Sequence, residues 1–146
     1  MKKINKITGI VALFIFGLGI TLFVSCFDTE PKKPRVEQAQ RGKAHFEKYC
    51  VACHGTDARG IHIDSLSEYG QPKDLTQIVS SRGGGDFPIV YVAKKIDGRN
   101  AVKAHGPRTM PVWGDVFVNE EHLNDAQLKG KLGEIIAYLM SIQKGR

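Results

Sequence analysis

Five consecutive residues, Cys50-Val51-Ala52-Cys53-His54, constrain this chain more than any other feature. Two thiols three positions apart on one turn of helix point the same way, and an imidazole follows at once. Few sites use such a set. A structural zinc site takes four protein ligands, usually with a second pair at suitable spacing, and the remaining cysteine, Cys26, stands alone. A thioredoxin-like redox pair belongs in a βαβ setting, for which the chain has no pattern. A disulfide between Cys50 and Cys53 would close a small, strained loop. Covalent attachment of one haem c accounts for all three residues. The two cysteines reach the two vinyl groups of one ring, and His54 presents its imidazole to the iron. Such bonds keep the cofactor on a protein whose own core is thin.

A sixth iron ligand is expected further along. Apart from Met1 the methionines are Met110 and Met140. Met140 falls beside the apolar stripe of a C-terminal helix, where packing is the simpler role. Met110 lies in Thr109-Met110-Pro111-Val112-Trp113-Gly114, 56 residues after His54, in a loop stiffened by proline. Its soft thioether favours Fe(II), and Met/His ligation raises a haem's reduction potential. Of the other histidines, His45 reads as a solvated residue on the first helix, His62 as part of a polar loop, and His122 as a residue just before the last helix. His105, close to Met110, is the one serious rival for the iron.

The chain starts with three lysines, Lys2, Lys3 and Lys6, followed by an uncharged apolar run from Ile7 to Val24. A basic start before an apolar stretch directs export. Phe23-Val24-Ser25-Cys26 resembles a bacterial lipoprotein cleavage box, which implies acylation of Cys26. Three outcomes stand side by side: a lipid anchor on Cys26, an uncleaved transmembrane anchor, or a cleaved signal and a released protein. Residues 1–26 are thus an export signal or membrane anchor. Residues 27–36, rich in charge and proline, are a tether, and 37–146 are the folded domain. All three outcomes put the domain on the outer, periplasmic side of the cytoplasmic membrane.

Charge argues against one class of partner. Without the three leading lysines the chain has 18 basic residues against 15 acidic, a net +3, and two haem propionates lower it further. Nucleic-acid binding has little support. Gly83-Gly84-Gly85 lacks the Gly-Lys-Ser/Thr that follows in a phosphate loop and reads as a flexible turn. Lys94, Lys95, Arg99 and Lys103 form a basic run, either a solvated face or a docking surface for an acidic redox partner.

Periodicity predicts an all-α fold with long loops. Ala39, Phe46, Cys50 and Cys53 mark one helical stripe from Val36 into the cysteine motif, with Gly55 as the stop. Asp74 is expected to cap a short helix through Val79, and Asp86 or Phe87, followed by Pro88, to open another through Ile96, ended at Asp97-Gly98. The stretch 99–118 reads as irregular. Asn124 and Gln127 form a capping-box variant, followed by an apolar face of Leu128, Leu132, Ile135, Leu139 and Ile142.

Here a resemblance becomes specific. Gln38 to Gln143 resembles the class I, mono-haem c-type cytochromes, in a bacterial membrane-anchored form. The similarity rests on Gly42-x-x-x-Phe46 before C-x-x-C-H, on Ala137-Tyr138-Leu139, and on Met-Pro-x-Trp-Gly. It implies a cytochrome c-like fold in which N- and C-terminal helices cross near Gly42 around one haem. It also implies that Cys50 and Cys53 bind the cofactor and that His54 and Met110 ligate the iron. Pro72 is the implied donor of the carbonyl that orients His54, and Trp113 or Arg99 the partner of a propionate. The implied function is one-electron transfer, without enzymatic activity of its own, between a donor and an acceptor protein in a respiratory or other membrane-linked chain. The alternative is a labile sixth ligand and a role in catalysis or gas sensing.

Overall fold

Helix α1 (Lys33–Tyr49) begins inside the segment read as a tether, because Pro34 suits the first turn of a helix, where an N–H has no partner to lose. The structure, a computed structural model, describes residues 33–68, 70–100 and 109–145. After one turn residue the chain re-enters a helical turn, α2 (Val51–His54). The amides of Cys50 and His54 donate to Phe46 and Cys50 carbonyls at 2.8 Å each, so the cysteine motif continues the ladder of α1. Gly55 then stops it at φ +73°, and its N–H closes on the Val51 carbonyl at 2.9 Å.

Asp74 caps as expected, accepting the Thr76 amide at 2.8 Å, but the helix predicted through Val79 is a single 3₁₀ turn, Leu75–Gln77. Tertiary partners take its backbone groups. The Gln143 side chain accepts the Val79 N–H at 3.1 Å and donates to the Leu75 carbonyl at 2.8 Å, and the Lys144 N–H donates to the Thr76 carbonyl. Helix α3 (Ile89–Asp97) follows Pro88 and ends on Gly98 in the left-handed region, φ +73°. Residues 101–108 lie outside the described residues.

The segment read as irregular contains two further pieces, a helical turn α4 (Trp113–Asp115) and a π-helical turn (Val116–Glu120). Packing produces them. Phe117 is fully buried, and Trp113 stacks on it with ring centroids 5.9 Å apart. Helix α5 (Asp125–Ser141) carries the expected capping box. The Asn124 side chain accepts the Gln127 amide at 3.0 Å, and the Gln127 side chain accepts the Asn124 amide at 2.9 Å.

Helices α1 and α5 cross at Gly42. A Cβ there would overlap the Glu134 carbonyl and sit 3.0 Å from the Tyr138 Cβ, so glycine is what lets the backbones approach. Phe46 and Tyr138 pack beside this point with centroids 5.2 Å apart. Leu128, Leu132, Ile135 and Leu139 fill the core as predicted, together with Ile136, which their spacing had left out. His45, expected in solvent, is half-buried and holds Glu134 at 3.0 Å, while Arg41 donates to the same carboxylate at 2.5 Å. No strand occurs among the described residues, and none of their helices is long and apolar enough to cross a membrane.

Candidate haem site

The folded unit, Pro34–Arg146, contains a cavity of about 990 Å³, near the top of the roughly 300–1,000 Å³ span of small-molecule and cofactor sites. Cys50, Cys53 and His54 form one wall. Leu75, Ile78, Val92 and Ile96 supply an apolar side, and Phe46, Ile135 and Leu139 reach it from the helix crossing. Met110, Pro111 and Trp113 complete the lining. The four residues singled out in the sequence thus share one cavity.

A backbone carbonyl fixes the tautomer of His54. Its Nδ1 lies 3.2 Å from the Lys73 carbonyl oxygen. A carbonyl only accepts, so Nδ1 carries the proton and Nε2 keeps its lone pair. The orienting carbonyl therefore belongs to Lys73, not to Pro72, whose own carbonyl packs against Gly60, where a Cβ would overlap it. Gly60 takes φ +84° to allow that approach. Burial lowers the His54 pKa, only partly opposed by the hydrogen bond to Lys73, so at neutral pH the ring is uncharged. Cys50 and Cys53 form no disulfide, which leaves both sulfurs available to a cofactor. Burial, and then the neighbouring Cys53, push the Cys50 thiol up to about 11.

Basic groups outnumber acids around the opening. Lys73, Arg82 and Lys95 line the cavity, and Asp74 is the one carboxylate among the lining residues. Asp74 accepts hydrogen bonds from Thr76 and Gln77. Arg82 stacks on the Tyr91 ring at 4.5 Å. Arg99, one expected propionate partner, is instead committed to Asp97 through bonds of 2.6 and 3.1 Å. Trp113, the other, does line the cavity. Lys94 and Lys95 are exposed on the last turn of α3. Lys103, His105 and Cys26 lie outside the described residues. His62 pairs with Asp64 at 3.1 Å, and His122 is exposed.

Size, apolar lining and donor set fit a haem with two anchoring cysteines at its edge. Residues 37–127 match the family described as cytochrome c oxidase, cbb3-type, subunit III. The chain belongs to this family of c-type cytochromes. It is also 26% identical over 109 residues to cytochrome c-550 of Bacillus subtilis, an alignment that covers 65% of this chain and 91% of that one. No solved structure gives a significant match. As a c-type cytochrome, the protein carries covalently bound haem c, and its function is haem-based electron transfer. The residues that sequence reasoning missed here are Lys73, which only the folded loop brings to His54, and Tyr49 and Phe117, whose aromatic rings flank Trp113.

Proposed function

We propose that this protein is a single-electron carrier in which thioether bonds to Cys50 and Cys53 hold the haem and His54 and Met110 are the axial ligands. Its domain, 37–146, stands outside the cytoplasm on a tether, 27–36, behind an export signal or anchor, 1–26, with lipid on Cys26 or a membrane span as the means of attachment. The observation that carries the reading is the convergence of all four side chains on one apolar cavity, with the His54 ring fixed by Lys73. When bound, the haem supplies the one-electron couple of its iron. The chain's residues hold that site still. His54 keeps its proton on Nδ1, the apolar walls exclude water, and Met110 sits beside a proline-stiffened turn.

The basic opening suits two propionates and an acidic partner, which would dock transiently through a small interface. The donor and acceptor belong to a respiratory or other membrane-linked chain, and the family description leaves room for a role within an oxidase assembly. The test is carbon monoxide binding to the reduced protein. Wild type with both axial positions filled takes up little carbon monoxide, and Met110→Ala binds it readily with a fall in reduction potential. Ready binding by wild type would defeat the carrier reading and favour catalysis or gas sensing.

A further inference from the structure

A polar node lies at the aromatic wall of the cavity, which Tyr49 and Trp113 line. The Tyr49 hydroxyl donates to Glu121 Oε1, and Lys131 Nζ donates to Glu121 Oε2. Lys48 adds a longer contact of 3.4 Å. The site is sheltered: the Lys131 side chain is only 13% exposed, and its ammonium lies 4.7 Å from the Phe117 ring centroid and 5.2 Å from that of Tyr49. Three separate parts of the chain meet here. Tyr49 ends α1 beside Cys50, Glu121 directly follows the π-helical turn, and Lys131 comes from α5.

The node ties down the stretch that follows Met110. Residues 112–123 form one hydrogen-bonded unit. The Val112 carbonyl accepts from Asp115 and Val116, Val116 accepts from Glu121, and Phe117 accepts from Leu123. Trp113 meets Tyr49 edge-on at 5.5 Å and stacks on Phe117. On the other side Gly114 is lodged against the Asp97–Arg99 pair, where a Cβ would meet Arg99 Nε at 2.7 Å. Met110 thus sits two residues before a segment gripped at both ends. A π-helical turn is rare and is found mostly at functional sites. Here it sets the register that delivers Glu121 to Tyr49.

We infer that Tyr49 and Glu121 are positioning residues whose bond, sheltered by Lys131, holds the 112–121 segment in place and so keeps the Met110 sulfur on the iron. This rests on the Met110 ligation proposed above. Local opening of a segment is governed by the contacts that segment makes, not by global stability alone. A hydrogen bond to a partly sheltered carboxylate is charge-assisted and among the stronger polar contacts, so its loss is expected to be felt in ligand exchange.

The experiment is imidazole titration of the oxidised holoprotein, followed by the optical change as the nitrogen ligand displaces sulfur. Tyr49→Phe, which keeps the ring and loses only the hydroxyl, is expected to raise imidazole affinity about tenfold, and Glu121→Ala, which removes the acceptor of Tyr49 and Lys131 together, at least as much. The double variant should gain no more than Glu121→Ala alone, because the Tyr49–Glu121 bond is already lost when its acceptor is removed. Gly42→Ala, destabilised at a helix crossing whose Gly42 contacts are Glu134 and Tyr138 and not the 112–121 segment, should melt lower and keep the wild-type affinity. Single variants that match a methionine-bound wild type would overturn the inference and leave Met110 ligation standing. So would a Gly42→Ala affinity raised as much as theirs, since general loosening would then suffice. A wild type that binds imidazole at an already open iron would overturn both.

Discussion

Replacing Gly42 with alanine adds one carbon where α1 and α5 cross. The new Cβ would lie 2.5 Å from the Glu134 carbonyl carbon and closer still to its oxygen, where ordinary contact begins near 3.4 Å, so the helices must part by at least about 0.9 Å. A gap of that size forfeits roughly a quarter to a half of the dispersion energy of each affected contact. The Phe46–Tyr138 pair sits at that point. Overpacking of this kind costs about 1–3 kcal/mol, while alanine returns about 1 kcal/mol of helix propensity. With a carbonyl as the obstacle the upper end of the cost applies, which leaves a net loss of about 2 kcal/mol. In a domain near 100 residues each kcal/mol moves Tm by roughly 4–8 °C, so the holoprotein should melt roughly 8–16 °C lower by circular dichroism. Gly130 lies on the same helix α5 with nothing within 4 Å of its Cβ position. Gly130→Ala should therefore raise Tm by a few degrees, on propensity alone. A Gly42→Ala variant that melts with wild type, or both alanines moving Tm the same way, would show that the close crossing is not what holds this fold.

Two further outcomes follow from named contacts. Asn124→Ala removes the cap from α5 and should cost about 1 kcal/mol, read as a lower urea midpoint at unchanged slope; an unchanged midpoint would mean that the cap is dispensable. Glu121 should make the protein acid-sensitive. The hydrogen bond from Lys131 holds its carboxyl below the ordinary value, against burial, which acts to raise it, and with help from Lys48. A depressed folded pKa gives stability that is present above the unfolded value of about 4.3 and is lost as pH falls through the folded one. Urea midpoints of wild type should thus drop below about pH 4.5, and more steeply than those of Glu121→Gln. Parallel curves would refute that assignment.

Local rules carried much of this fold. The C-x-x-C-H motif, the Asn124 box, the Leu128–Leu139 stripe and Gly42 were legible because each depends on spacing or on a single missing side chain. The losses have a common cause in long-range partners. Asp74 signals a helix start, yet Gln143, 64 residues past Val79, diverts the backbone into one 3₁₀ turn. Pro111 and Gly114 read as loop, yet burial of Phe117 under Trp113 winds the chain into α4 and the π-helical turn. His45 looked solvated because its partner, Glu134, lies 89 positions away. At the site, Cys50, Cys53, His54 and Met110 were visible as residue types. The Lys73 carbonyl was not, since a backbone acceptor leaves no mark on a sequence beyond the nearby proline. The node at Glu121 was equally hidden, because its three donors come from two other helices.

The central claim is that Met110 sulfur and His54 nitrogen are the two axial ligands. Proton NMR of the reduced holoprotein with labelled methionine methyls tests it most directly, because a methyl on an iron-bound sulfur sits over the porphyrin ring and its resonance is carried far upfield by the ring current. The account predicts one such shifted methyl, lost in Met110→Leu and kept in Met140→Leu. Methionine methyls all at ordinary positions in a haem-loaded wild type would contradict it, and the sixth ligand would have to be sought elsewhere, beginning with His105.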